Sequence, residues 1–118
     1  MRTLALILAL SLPLSVFGYD RAEEVYSSCS ANPSAGIREA MESIHCSGYL
    51  TGIVDGILMM QSAGPEQKQF ICPPSEVSGE QTLQAVTRWL QQNPTGADIS
   101  ARVAVLKALV ATYPCPQR

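Results

Sequence analysis

The chain has 118 residues, with 8 Lys and Arg against 10 Asp and Glu, which gives a formal charge of −2 at pH 7. This length leaves room for one small domain and excludes a multi-domain enzyme. The nearly neutral, slightly acidic balance excludes a basic nucleic-acid-binding protein. A single His argues against a His-rich metal site.

The first 18 residues have the three parts of a secretory signal peptide. A short basic start is followed by an apolar run over residues 4–12, and Val16 and Gly18 are small residues at a cleavage site. The run is shorter than the roughly 20 residues that a membrane span needs. We therefore predict a leader over residues 1–18, a single exported domain over residues 19–118, and no stable membrane anchor.

Clusters of Gly and Pro divide the rest of the chain into four segments with helical periodicity. The segments cover about residues 21–30, 37–62 and 80–92, and the fourth begins at Asp98 or Ser100. No segment alternates polar and apolar residues as a β-strand does. The predicted fold is all-α, a small four-helix domain stapled by disulfides, with Asp20 as the cap of the first helix.

The apolar spacing also predicts which side of each helix is buried. The inner side of the second helix comprises Cys46, Tyr49, Leu50, Ile53, Val54, Ile57, Leu58 and Met60. That of the third comprises Leu83, Val86 and Leu90, with Trp89 beside them. That of the fourth comprises Ile99, Val103, Leu106, Val110 and Tyr113, next to a stripe of small residues at Ala101, Ala104, Ala108 and Ala111.

Three glycines, Gly48, Gly52 and Gly56, form a groove on the other side of the second helix. Each costs about 0.8–1 kcal/mol relative to Ala inside a helix, so a close approach of another backbone is expected to offset them. The alanine stripe of the fourth helix and a second copy of the chain are the two candidates. The second helix is thus the expected centre of the scaffold, and Asp55 on its glycine side is interpreted as a buried carboxylate that needs partners.

The four cysteines, Cys29, Cys46, Cys72 and Cys115, are too widely spaced for a metal site and indicate disulfides in an exported domain. Three pairings are possible. The helix layout favours Cys29 with Cys46, which an antiparallel turn brings side by side. It also favours Cys72 with Cys115, which both lie beside prolines outside the helices.

No constellation of side chains points to catalysis, a metal or a cofactor. His45 and Cys46 are neighbours on a helix, so their side chains diverge, and a cysteine in a disulfide provides no thiolate. Glu39 and Glu42 fit a solvated helix face. The remaining class is a binding module, whose polar loops are the natural contact surfaces.

The segment over residues 46–56, which contains Gly48, Tyr49, Gly52, Asp55 and Gly56, resembles the central motif of the Tai/Rap family of periplasmic immunity proteins of type VI secretion. Residues 70–74 resemble the cysteine-proline turn of that family. Residues 93–94 resemble the stop after its third helix, and residues 108–115 its last helix and cysteine. The similarity covers about residues 26–115.

The resemblance implies a small non-enzymatic protein, often homodimeric, which binds a cell-wall amidase effector and blocks its active site with a loop. The first candidate for the contact loop lies at residues 91–100, with Gln91, Gln92, Asn93, Thr95 and Asp98 as contact residues. The second candidate is the connection over residues 61–79, within which Glu66 and Gln69 are the expected contact residues. A small periplasmic stress chaperone and a general exported binding protein remain the alternatives.

Overall fold

The structure is a computed structural model, which describes residues 18–64, 68–94 and 99–117. In these ranges the chain forms four helices: α1 (Ala22–Cys29), α2 (Ile37–Ala63), α3 (Gly79–Gln92) and α4 (Ala101–Thr112). The predicted all-α class is confirmed, and the helix ends fall close to those expected from the sequence. Residues 1–17 of the predicted leader lie outside the described part of the chain.

Backbone hydrogen bonds tie the start of α1 to the start of α4. The Ala101 N–H donates to the Asp20 carbonyl (3.0 Å), and the Ala22 N–H donates to the Ile99 carbonyl (3.2 Å). The residue that caps α1 is Arg21, and no side chain bonds to the first turn there. The prediction that Asp20 caps α1 is therefore wrong, because the main chain of Asp20 pairs with the segment before α4 instead.

The helices form one bundle in which α1 and α3 each pack against the other three. A disulfide between Cys29 and Cys46 joins α1 to α2, with 5.2 Å between the two Cα atoms. A second disulfide, between Cys72 and Cys115, joins the segment after α2 to the C-terminal segment, with 4.9 Å between Cα atoms. Both predicted pairings are confirmed.

The fourth helix supplies much of the core, but through a different face from the one predicted. Its buried residues are Ala101, Ala104, Val105, Ala108 and Leu109. Val103, Leu106 and Val110 were expected inside, yet their side chains are 44%, 41% and 43% exposed. The reason is space: the alanine face lets α4 approach α1 and α3 closely, whereas larger side chains would hold the helices apart.

The second helix has fewer buried residues than predicted. Only Cys46 and Leu50 are fully buried in it, while Tyr49, Ile53, Val54, Ile57 and Leu58 are half-buried against the core. Met60 was expected inside and is 69% exposed. The prediction that α2 is the centre of the scaffold is therefore wrong, since α2 lies against one side of the bundle.

The glycine groove of α2 is open. A Cβ atom added at Gly48, Gly52 or Gly56 would meet no heavy atom within 4 Å. Ala101, Ala104 and Ala108 of the α4 stripe are buried in the core, where α4 packs on α1 and α3, while Ala111 is exposed, so the stripe does not fill this groove. Among the described residues of one chain, the expected close approach at the glycines is absent.

The third helix agrees with its predicted orientation. Val86 and Leu90 are buried, and Leu83 and Trp89 are half-buried against the same core. Its first turn carries a capping box, in which the Gln81 N–H donates to the Ser78 hydroxyl and the Ser78 N–H donates to the Gln81 side chain. This reciprocal pair satisfies two backbone donors that the helix start would leave unpaired.

Removing the disulfides is expected to destabilise the fold in proportion to the loops that they close. Replacing both Cys29 and Cys46 by Ala should lower the free energy of unfolding by about 3 kcal/mol, and replacing Cys72 and Cys115 by about 4 kcal/mol, since the longer loop gains more entropy when released. Urea denaturation of the two double variants measures both losses in the free energy of unfolding. A larger loss for the Cys29 and Cys46 pair would contradict this expectation.

The face of α4 that packs inside can be tested with two matched leucine substitutions. Ala108→Leu adds volume where the side chain is fully buried and should lower the free energy of unfolding by about 1–3 kcal/mol. Ala111→Leu, three residues on at an exposed position, should change it by less than about 0.5 kcal/mol. Similar effects of the two substitutions would show that α4 packs through another face.

Candidate functional site

A cavity of about 730 Å³ lies between α2, the connection over residues 68–78 and the first turn of α3. This volume falls within the range of about 300–1,000 Å³ that is usual for ligand sites. The cavity is thus large enough to take a small ligand or a few side chains from a protein partner.

The wall on α2 combines an apolar row with a polar row. Leu50, Val54 and Leu58 follow one another at helical spacing, and Thr51 and Asp55 lie beside them one turn apart. Asp55 is exposed, so its interpretation as a buried carboxylate is wrong. It is the only charged side chain among the described lining residues, and in the described ranges no hydrogen bond or ion pair reaches its carboxylate.

The opposite wall is held to α2 by one side chain. The Oε1 atom of Gln61 accepts hydrogen bonds from the Phe70 N–H (2.7 Å) and the Ile71 N–H (2.9 Å). Its Nε2 atom donates to the Ile71 carbonyl (3.0 Å). Because Ile71 is fully buried, the two bonds to its N–H and carbonyl satisfy backbone groups that have little access to water.

The C-terminal segment fixes the same wall from the other side. Besides its disulfide to Cys115, Cys72 donates its N–H to the Tyr113 carbonyl (2.9 Å). The buried Tyr113 hydroxyl is 2.9 Å from the Thr82 hydroxyl at the start of α3. The wall then continues through Pro73, whose backbone has little freedom. This side of the cavity is therefore ordered before any ligand binds.

A second depression, of about 510 Å³, is lined by Tyr19, Glu23, Glu24, Ser27, Ser28, Glu42 and His45. The Tyr19 hydroxyl lies 2.6 Å from the Ser28 hydroxyl, and its ring centroid is 4.9 Å from those of both His45 and Tyr49. Burial raises the pKa of Tyr49 above its ordinary value, and the nearby Arg102 partly offsets this rise. His45 is therefore an exposed residue whose ring contacts Tyr19 in a tilted arrangement. Its neighbour Cys46 is disulfide-bonded, so the two do not form a thiol and base pair.

The residues predicted for partner binding at the end of α3 are separate from the main cavity. Gln91 and Gln92 are exposed in the last turn, and Asn93 follows as the C-terminal cap. The Asn93 side-chain amide donates to the Trp89 carbonyl (2.9 Å), which closes the last turn. Because α3 has 14 residues, its two ends lie about 20 Å apart, with the cavity at the other one.

The remaining predicted contact residues divide between the cavity and the undescribed segments. Thr95, Asp98 and Glu66 lie outside the residues that the structure describes. Gln69 lines the cavity wall. The structure therefore places one residue of the second candidate loop at the cavity.

Sequence reasoning included Gln61 as the first residue of the second candidate loop but missed that its side chain organises the cavity wall. Helical periodicity does not distinguish Gln61 from other polar residues at the end of α2. Its hydrogen-bond partners, Phe70 and Ile71, come close only after the chain has reversed direction beyond α2. The capping box at Ser78 and Gln81, by contrast, has a recognisable spacing and could have located the start of α3, which borders the cavity.

Two further features bear on what this chain can bind. In residues 18–64, 68–94 and 99–117, no three His, Cys, Asp or Glu side chains are grouped as metal ligands would be. Over the same ranges, none of the helices combines the length and the apolar character needed to span a bilayer.

Comparison with known proteins identifies a family. The model of the family described as Rap1a immunity proteins matches residues 21–115, which include all four helices and all four cysteines. No significant match exists among the curated proteins or among the solved structures. The matched region covers most of the chain, and the chain belongs to the Rap1a immunity protein family.

Proposed function

We propose that this protein is a periplasmic, non-enzymatic immunity protein of type VI secretion, which binds a peptidoglycan-amidase effector and occludes its active site. The observation that carries the proposal is the family match over residues 21–115. An immunity protein acts on a secreted toxin, and the motif resemblance over residues 46–56 supports an amidase of the cell wall as that toxin.

Export to the periplasm is supported by the leader and by the disulfides. Residues 1–18 have the form of a signal peptide, and residues 19–118 then constitute the mature domain. All four cysteines are paired in two disulfides, which form and persist in an oxidising compartment. A cell-wall effector acts in the same compartment, where the inhibitor would meet it.

We propose the segment over residues 91–100 as the part that enters the effector's active site. Both of its ends are fixed: Asn93 closes α3, and Ile99 is bonded through its carbonyl to the start of α1. A loop with fixed ends loses less conformational entropy on binding than a free one. Gln91, Gln92 and Asn93 provide exposed hydrogen-bonding groups at its start.

We also propose that two chains pair through α2. Its outer face carries exposed apolar side chains at both ends, with the open glycines between them; they are Ile37, Met41, Ile44, Met59 and Met60. A two-fold axis at Gly52 would place Gly48 opposite Gly56 and Ile44 opposite Met60 in an antiparallel pair. Such a pair removes large apolar groups from water and lets the two backbones approach at the glycines.

The same exposed apolar face keeps a small periplasmic chaperone as the second candidate. A chaperone surface must adapt to many clients, whereas two disulfides hold α1, α2 and the C-terminal segment in one arrangement. The two functions differ in stoichiometry, because an immunity protein neutralises one enzyme in a fixed complex. Suppression of aggregation of unrelated unfolded proteins, without binding to any amidase, would favour the chaperone.

Neutralisation of an amidase tests the function and the contact loop together. Residues 19–118 should abolish peptidoglycan cleavage by its effector, sought among secreted amidases encoded by neighbouring genes, at one equivalent. The triple substitution Asn93→Ala, Thr95→Ala, Asp98→Ala should weaken binding by about tenfold or more while the melting temperature stays within a few degrees. The double substitution Glu66→Ala, Gln69→Ala tests the second candidate loop.

The control for that experiment is Gln84→Ala on an exposed face of α3, which should neutralise like the wild-type protein. Equal neutralisation by the triple variant would show that residues 91–100 do not enter the active site. Failure of the wild-type protein to bind any such amidase would contradict the proposed function.

The dimer is tested by Gly52→Leu. A Cβ atom at this position meets no atom of another described segment within 4 Å, so the free energy of unfolding of the monomer should be unchanged or higher, since Leu favours a helix more than Gly does. In the dimer it would separate the two helices and weaken association by about tenfold or more. Sedimentation velocity at micromolar concentration measures this, with Gln84→Leu as the control, and a wild-type monomer would contradict the proposal.

A further inference from the structure

We infer that the cavity beside Asp55 is a binding site for a basic side chain, an arginine in particular, presented by a protein partner. The inference rests on the proposed function only in naming that partner as the effector. Its starting observation is an exposed carboxylate without a hydrogen-bond or ion-pair partner in the described ranges, placed at the wall of a cavity of about 730 Å³.

The shape and the chemistry of the α2 wall suit such a side chain. An arginine has an apolar stem and a planar charged end, and it buries the stem while the end keeps its polar contacts. Val54 and Leu58 on α2 and Val77 on the opposite side form apolar walls for the stem. Asp55 then receives the guanidinium group, which bonds to carboxylates in a bidentate manner.

Other polar groups around the cavity add acceptors for the remaining N–H groups. Thr51 lies one turn before Asp55 on α2, and Gln69 lines the cavity from the segment that faces α2. Hydroxyl and amide oxygens can each accept a hydrogen bond from a guanidinium. No described lining residue carries a positive charge, so none of them repels a cation at Asp55.

The site is also ordered in advance on the side that faces α2. The three bonds of Gln61 and the disulfide of Cys72 hold residues 70–72 in place without a ligand. A fixed wall lowers the entropy cost of binding. The volume exceeds that of a single side chain, so the neighbouring backbone of the partner also has room.

The test uses short peptides as probes, because they do not depend on the effector. The mature protein is titrated with Ac-Ala-Arg-Ala-NH2 and with the same peptide that carries citrulline, a neutral isostere of arginine, and amide NMR shifts are followed. The arginine peptide should bind about three- to fivefold more tightly than the citrulline peptide, as expected for an exposed ion pair. The shifts should centre on Thr51, Asp55 and Gln69.

Two matched variants locate the charge that is responsible. Asp55→Asn keeps the shape of the side chain and should abolish the preference for arginine over citrulline. Glu80→Gln removes an exposed carboxylate from α3, outside the cavity, and should keep the preference. Equal binding of both peptides to the wild-type protein, or shifts centred elsewhere, would overturn the inference. So would shifts of Gln69 and Val77, on the cavity wall that faces α2, on dilution without any peptide, which would indicate a second copy of the chain as the occupant.

The effector assay separates this inference from the proposed function. If Asp55→Asn weakens neutralisation of an amidase by the same factor as it weakens binding of the arginine peptide, the partner uses this site. If an amidase is neutralised equally by the wild-type protein and by Asp55→Asn, the inference fails and the proposed function stands. If the peptides are discriminated and no amidase is bound, the cavity binds basic side chains and the proposed function fails.

Discussion

The C-terminal segment is fastened to the connection that follows α2, and both the cavity and the ends of two helices depend on this tie. The tie has three parts: the disulfide of Cys72 and Cys115, the backbone bond from Cys72 to Tyr113, and the contact of the Tyr113 hydroxyl with Thr82. The first is covalent, and the last joins the end of α4 to the start of α3. A polar segment over residues 68–78 would otherwise have few apolar contacts to hold it, since Ile71 is its one fully buried residue. These three contacts therefore hold residues 68–78 in place as one wall of the cavity.

The close packing of α4 leaves α2 with an outer face that none of the described helices covers. Alanines on α4 pack in the core against α1 and α3, and a Cβ atom added at the α2 glycines meets no other described segment within 4 Å. The uncovered face of α2 is apolar around the glycines, where Ile44 and Met59 flank them, and it suits an identical helix. Asp55 lies at the edge of this face, three residues after Gly52, and also lines the cavity, where it suits a basic group. The surfaces for self-association and for a partner therefore adjoin each other along α2.

Part of the candidate site was predictable from the sequence, and part was not. Gln69 belongs to a loop that its polar composition had already indicated as a contact surface, and it lines the cavity. Asp55 was recognised as unusual because a carboxylate interrupts an apolar stretch, but its exposure depends on which neighbours α2 has. Gln61 was placed at the start of the second candidate loop, but its organising role was not recognised. Its bonds to Phe70 and Ile71 form only after the chain has turned back, and no local pattern encodes that return.

The sequence by itself determined the all-α class, the four helices, the disulfide pairing that the helix layout favours and, through the motif around Cys46, the family. These follow from local properties, since helical periodicity, Gly and Pro breaks and cysteine positions act within a few residues or constrain the chain covalently. Only the tertiary structure decided which face of α4 is buried and whether the glycines of α2 are filled. Val105 and Leu109 lie inside while Leu106 lies outside, although all three are apolar residues of one helix. Periodicity shows that residues share a face, but the choice between two apolar faces depends on how closely the neighbouring backbones can approach.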